Sequence, residues 1–211
     1  MEPSTFSTPV GDFADLRDDF LRLTTEIGWC TVATVDGRDR PRSRIMHVSW
    51  EVGDAGPTGW VSTSRTPVKT AHLARNPYVS CSYWTPAHDA VFVDCRATWL
   101  EPGDTKRHVW DLVAAEATQR GFDPYAVWPD GPTDAGFEVL QFDPWRVQIT
   151  LQDLANGQTI GSSRVWHAAG RPASTRRAAL PLIPTGPPSH RGRPVTADAA
   201  SRAARHRGNA P

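Results

Sequence analysis

Phe13, Leu16, Phe20, Leu23 and Ile27 follow the three- and four-residue spacing of one helical face, with aspartates near the start and Gly28 just beyond the end. Acids suit the positive end of a helix dipole, so the pattern predicts an amphipathic helix that stops at Gly28. The period then changes to two. WCTVATVD reads as a strand and DGRDRP as a turn with an Asp-Gly signal. RSRIMHVSWEV reads as a second strand, with Arg42, Arg44, Met46, Val48 and Trp50 on one face and Ser43, Ile45, His47, Ser49 and Glu51 on the other. After the loop GDAGPTG come a third strand, WVSTS, and a helix, PVKTAHLARN, with Pro67 suited to its first turn. YVSCSYW and AVFVDCRATWLE are strands joined by TPAHD. DTKRHVWDLVAAEATQR predicts a helix capped by Asp104 and ended by Gly121, with Val109, Leu112 and Val113 toward the core. FDPYAVWPDGPTDAG is a long aromatic loop. FEVLQFDPWRVQITLQDL is a strand pair broken at Asp143-Pro144, and SSRVWHA adds a short edge strand.

About six strands joined by turns rather than by regular crossover helices argue against a doubly wound sheet. The expectation is a mainly β, α+β fold: a small antiparallel barrel with peripheral helices. The helix within residues 1–28 packs on a barrel spanning 29–161. Residues 162–211 supply the edge strand and then a disordered Arg/Pro/Ala-rich tail, whose composition cannot bury enough apolar area to offset ordering.

Charge and composition refine this picture. The net charge is zero, yet from Ser162 onward nine arginines face one acid, Asp198, so that segment carries +8 and residues 1–161 carry −8. The tail has no aromatic residues interleaved for base stacking, so a nucleic-acid arm is not the favoured reading. No apolar run of about 18 residues exists, so no membrane span is expected. The N-terminus has no secretory pattern, and the expected compartment is the cytoplasm. Cys30, Cys81 and Cys95 lie in separate apolar runs without metal-ligand spacing and read as buried free thiols.

The candidate chemistry is anion binding. Lys69, one of only two lysines, stands just inside a helix preceded by Ser62, Thr63, Ser64, Arg65 and Thr66, and the previous strand offers Arg42 and Arg44. Arginine forks, a lysine charge, hydroxyls and a helix N-terminus are the groups that hold a phosphate. Surface arginines beside a capped helix are the plainer reading. No Gly-rich nucleotide fingerprint is present.

The order of strand, turn, P-x-x-R, strand, hydroxyl-rich turn, K-(six residues)-N-P, strand, strand resembles the pyridoxamine 5'-phosphate oxidase-like FMN-binding split barrels. The likeness runs from about Trp29 to Trp99 and more weakly to Leu151. It implies a six-stranded antiparallel split β-barrel, a homodimer with flavin at the subunit interface, and an FMN-dependent oxidoreductase acting on a small molecule. It also carries roles to residues. Arg44, three after Pro41, and Lys69, seven before Asn76, hold the flavin phosphate. Thr63, with Ser62 beside it, supplies a hydroxyl, and the backbone of Ile45, Met46 and His47 lies along the ring. The residues themselves add Arg42 and Ser64 to the phosphate set. The deazaflavin coenzyme F420 is the alternative cofactor, and a non-catalytic flavin-binding stress protein is the alternative function.

The departures narrow the substrate. Ser49 stands where the vitamin oxidases place a lysine, their C-terminal Arg-x-His is replaced by PWRVQI with Arg146 and Gln148, and a partner glutamine falls near Ala90. Tyr83-Trp84 and DPWRVQ look more like the general-stress, actinobacterial branch. Trp84, Trp128 and Trp145 are candidates to stack on the ring, His47 to line the substrate side, and His88 and Asp89 to reach a neighbour's pocket. No catalytic acid or base is predicted, and no metal.

Overall fold

The computed structural model describes residues 7–101, 103–117, 121–152 and 162–169, all within one compact unit. The tail expectation for residues 170–211 lies outside the described residues. The strands are β1 (Ser7–Val10), β2 (Trp29–Val35), β3 (Pro41–His47), β4 (Ser49–Gly53), β5 (Gly56–Thr63), β6 (Tyr78–Trp84), β7 (Ala90–Trp99), β8 (Glu138–Leu151) and β9 (Ser162–His167). The helices are α1 (Arg17–Ile27), α2 (Pro67–Arg75), α3 (Asp104–Ala115) and the short α4 (Pro124–Val127), with single 3-10 turns at Phe13–Asp15 and Gly131–Thr133.

The strands form one sheet in the order β1-β9-β8-β7-β6-β2-β3, with the β4–β5 hairpin attached through β5 to the first half of β8. The fold is a mainly β split barrel with peripheral helices. It is not closed, because β3 lies near β5 without pairing with it. All pairings are antiparallel except β1 with β9.

Among the described residues the sheet has nine strands, roughly the number expected, and three local differences have physical reasons. The stretch read as one strand, RSRIMHVSWEV, turns a corner at buried Val48, so its first part pairs with β2 and its second with β5. β9 is not an edge, because β1, unread in the sequence, pairs along it. The pair broken at Asp143-Pro144 is one 14-residue strand, β8. Opposite it, Asp94 pairs with Arg146 and Cys95 with Pro144, leaving Trp145 as the extra residue of a bulge. Leu140, Phe142 and Pro144 point inward before the bulge and Val147 and Ile149 after it, so inward parity changes without ending the strand. A proline is tolerated there because the ladder is already interrupted.

The main core collects Val32, Val61, Val79, Cys81, Tyr83, Val91, Val93, Leu140, Phe142 and Ile149 from the strands, closed by Phe13, Leu16, Phe20 and Leu23 from the N-terminal turn and α1. Gly28, at φ 69°, ends α1. Phe20 meets Trp50 edge to face at 5.2 Å. Gly59 lets Trp50 and Val48 lie across β5, since a Cβ there would sit 2.7 Å from the Trp50 ring and 2.8 Å from Val48 Cγ1. A second cluster joins Val109, Trp110 and Val113 of α3 to Trp128, Phe137 and Val139. There Trp110 is buried and Leu112 only half-buried, while Gly103, not Asp104, occupies the N-cap without a side-chain cap bond. The three cysteines are buried and free. The neighbouring Cys81 thiol and burial push Cys30 up, so it stays a thiol. No described helix is long and apolar enough to cross a membrane.

Candidate functional site

α2 begins at Pro67 after Thr66, and its last turn closes with the Asn76 N–H donating to the His72 carbonyl at 2.8 Å. Its inward face carries Lys69, His72 and Leu73, at the i, i+3, i+4 positions where an amphipathic helix normally buries apolar side chains. Lys69 is 7% exposed and His72 8%. Burying such groups is costly unless they find partners. Lys69 Nζ donates to Thr63 Oγ1, at the end of β5, and to the Ser64 carbonyl at 3.0 Å. Both acceptors are neutral. Burial, with the nearby Arg44 charge, pushes Lys69 down to about 8.

Arg44 projects from β3 toward the same face of α2. Its Nη1 donates to Thr34 Oγ1 at 2.8 Å, and its Nη2 lies 3.4 Å from His72 Nδ1. Thr34 Oγ1 is 3.0 Å from that same nitrogen. Burial and the neighbouring Arg42 charge pull the Arg44 guanidinium downward. Among the described residues no carboxylate forms an ion pair with Arg44 or Lys69. Two cations close enough to feel each other, each held by neutral acceptors, make a site for an anion.

The cations adjoin an apolar cleft of about 320 Å³. It is lined by Ile45, Met46 and His47 of β3, Ser62 and Thr63 of β5, and Trp29, Phe122, Val127 and Trp128. Thr63 belongs to both parts: it lines the cleft and accepts from Lys69. Trp29 meets His47 edge to face at 5.8 Å. A volume of this order suits a small planar organic ligand. An elongated molecule with a flat apolar body and an anionic end matches this arrangement.

The residues singled out in the sequence thus converge, with distinctions. Arg44, Lys69, Thr63, Ser62, Ile45, Met46 and His47 surround the anion site and cleft. Arg42 is exposed, and its carbonyl lies 3.4 Å from Thr34 Oγ1. Ser64 offers its carbonyl to Lys69, while its hydroxyl donates to the Gly136 carbonyl at 3.2 Å. Of the three tryptophans considered for stacking, Trp128 lines the cleft. Trp84 is exposed beside His88, and Trp145 is the bulge residue. Asp89 accepts from the Gln152 N–H at 2.8 Å, and the His88 N–H closes a turn on the Thr85 carbonyl.

Sequence reasoning missed Thr34, His72 and Trp99, and named Arg65 in the loop before α2 without giving it a role. Thr34 pairs with Arg42 across β2 and β3, a register that reading in one dimension does not supply. His72 follows Lys69 by three residues, the helical spacing that could have flagged it. Arg65 stacks 4.9 Å above Trp99, within 3.6 Å of Glu138, and Lys69 Nζ stands 5.9 Å from the same ring. Trp99 therefore presents its ring to both Arg65 and Lys69.

A family model described as pyridoxamine 5'-phosphate oxidase matches residues 16–151. Solved structures share the fold at low identity. A Clostridium acetobutylicum protein related to general stress protein 26, of the pyridoxinephosphate oxidase family, is 14% identical, covering 65% of this chain and 89% of its own, with a TM-score of 0.52. A pyridoxamine 5'-phosphate oxidase-related, FMN-binding protein of Nostoc punctiforme is 16% identical over 67% and 85%, with a TM-score of 0.49. HutZ, the heme storage protein of Vibrio cholerae, is 17% identical over 61% and 89%, with a TM-score of 0.47. No curated protein matches the chain.

Proposed function

Because the chain belongs to the pyridoxamine 5'-phosphate oxidase family, we propose that it is a flavin-binding oxidoreductase that uses FMN. The observation that carries this reading is the continuity, through Thr63, between a cation pair, buried Lys69 with half-buried Arg44, and an apolar cleft. Arg44 and Lys69 hold the phosphate, and the Thr63 hydroxyl turns from Lys69 to share it. The β3 backbone from Ile45 to His47 supports the ring, and Trp128 and Phe122 exclude water from one side. When bound, the flavin supplies hydride and electron transfer; the chain binds and orients it, and no side chain is assigned as a dedicated acid or base.

The substrate is a small molecule other than pyridoxamine phosphate. Ser49, at the position where the vitamin oxidases carry a lysine, donates to Glu116 Oε2 at 2.9 Å and provides no second phosphate-binding cation. The protein acts as a homodimer. Ile45, 66% exposed, and the exposed Trp29 and Val127 rim the cleft, and a second copy seated there would cover them and close the ring site.

The visible spectrum and mass of the ligand that copurifies with the protein test this reading. FMN, reduced by a nicotinamide donor and reoxidised by an added acceptor, is the expected result. A deazaflavin would change the cofactor assignment, a haem would overturn it, and flavin that never turns over would leave a binding protein rather than an enzyme.

A further inference from the structure

Arg44 is held by neutral groups, and their hydrogen-bond roles can be worked out by valence. Its guanidinium has only donors. Thr34 Oγ1 accepts from Nη1 at 2.8 Å, so the Thr34 proton must go elsewhere. The nearer acceptor is His72 Nδ1 at 3.0 Å; the alternative, the Arg42 carbonyl, is 3.4 Å away. Arg44 Nη2 also points at Nδ1, from 3.4 Å. Because the guanidinium facing Nδ1 can only donate, this nitrogen bears the lone pair, the Thr34 hydroxyl donates to it, and the ring proton sits on Nε2. Thr34 is 3% exposed and His72 8%, so water does not replace either partner readily.

We propose that Thr34 and His72 are positioning residues for the anion site: a buried hydroxyl–imidazole relay that aims the Arg44 guanidinium without neutralising it. A carboxylate would orient the guanidinium equally well, but it would cancel the charge that the ligand phosphate needs. A neutral acceptor pair fixes direction and leaves the charge available. Placing His72 one helical turn after Lys69 puts the second cation and the orienting imidazole on the same face of α2. This assignment rests on the flavin-phosphate reading above and adds two residues that need not touch the ligand.

The experiment compares FMN with riboflavin, which has the same ring and no phosphate, by fluorescence titration of the full-length protein. Thr34→Val and His72→Leu keep shape and remove the acceptors. Each is expected to raise the FMN Kd about tenfold, as for loss of a hydrogen bond to a charged group, with riboflavin changed less than about twofold. Thr34→Ser and His72→Asn restore an oxygen near the lost acceptor and are expected to recover most FMN affinity, which a purely packing role would not predict. Equal weakening of both ligands in Thr34→Val and His72→Leu, no change in either, or failure of Thr34→Ser and His72→Asn to recover would each overturn the proposal while leaving the flavin reading intact. A wild-type protein with no preference for FMN over riboflavin would overturn the flavin-phosphate reading, and this proposal with it.

Discussion

Alkaline pH should loosen the flavin through Lys69, and the size of the effect follows from the site. In the free protein burial and Arg44 lower Lys69 from its ordinary 10.5 to about 8. A phosphate dianion beside the ammonium offsets both causes, so the bound state keeps the proton well above pH 8. Binding between those limits therefore takes up one proton, and the Kd rises up to tenfold per pH unit. At pH 9.5 only about 3% of free Lys69 is charged, so FMN should bind about 30-fold more weakly than at pH 7, about 2 kcal/mol.

The folding stability of the free protein moves the other way. Unfolded Lys69 binds its proton more readily than folded Lys69, so the lowered pKa contributes stability that grows as pH rises from about 8 toward 10.5 and is absent below that window. Fluorescence titrations from pH 7 to 9.5, with riboflavin to correct for titration of the ring, measure the first effect, and thermal melts of the free protein the second. Lys69→Met should abolish the pH dependence of binding. An FMN Kd that stays flat across this range in the wild type, or a slope that survives Lys69→Met, would refute the assignment of Lys69 to the phosphate.

Other consequences are simpler. Arg44→Ala and Lys69→Ala should each weaken FMN binding by about 1.5–3 kcal/mol, the range for a charge-assisted hydrogen bond, without loss of the fold; unchanged titrations would remove these residues from the site. Gly59→Ala should cost about 1–3 kcal/mol in denaturant unfolding, because the new methyl meets Trp50 and Val48 at under 3 Å; a neutral result would mean that β5 yields easily. Ile45→Asp should yield a monomer by light scattering and weaken FMN binding, because it charges the apolar rim that a second copy is proposed to cover; an undisturbed dimer would place the interface elsewhere.

The legible parts of the fold were those written in local periodicity. Phe13, Leu16, Phe20 and Leu23 announced the N-terminal helical segment and its buried face, and Pro67 and Asn76 bracketed α2 closely. Features set by distant pairing were not legible. β1 exists because Ser7–Val10 lies beside Ser163–Trp166, a partnership across most of the chain with no strong alternation to betray it. The β8 bulge hid behind Asp143-Pro144, which locally looks like a break but is accommodated by an extra residue against β7. At the site, Arg44 and Lys69 stood out because cations beside hydroxyls at a helix start suit a phosphate, and because they fall on the P-x-x-R and K-(six residues)-N-P spacings. Thr34 and His72 did not, because a threonine in a strand and a histidine in a helix are unremarked until the β2–β3 register and the rotation of α2 bring both onto one guanidinium.

In the proposed complex one phosphate is shared between β3 and α2. A crystal structure of the protein with FMN tests it most directly. Phosphate oxygens should lie within hydrogen-bond reach of both the Arg44 guanidinium and the Lys69 ammonium, with the ring along Ile45–His47. A phosphate bound away from these two side chains, with Lys69 still donating to Thr63 and Ser64 as it does now, would contradict it.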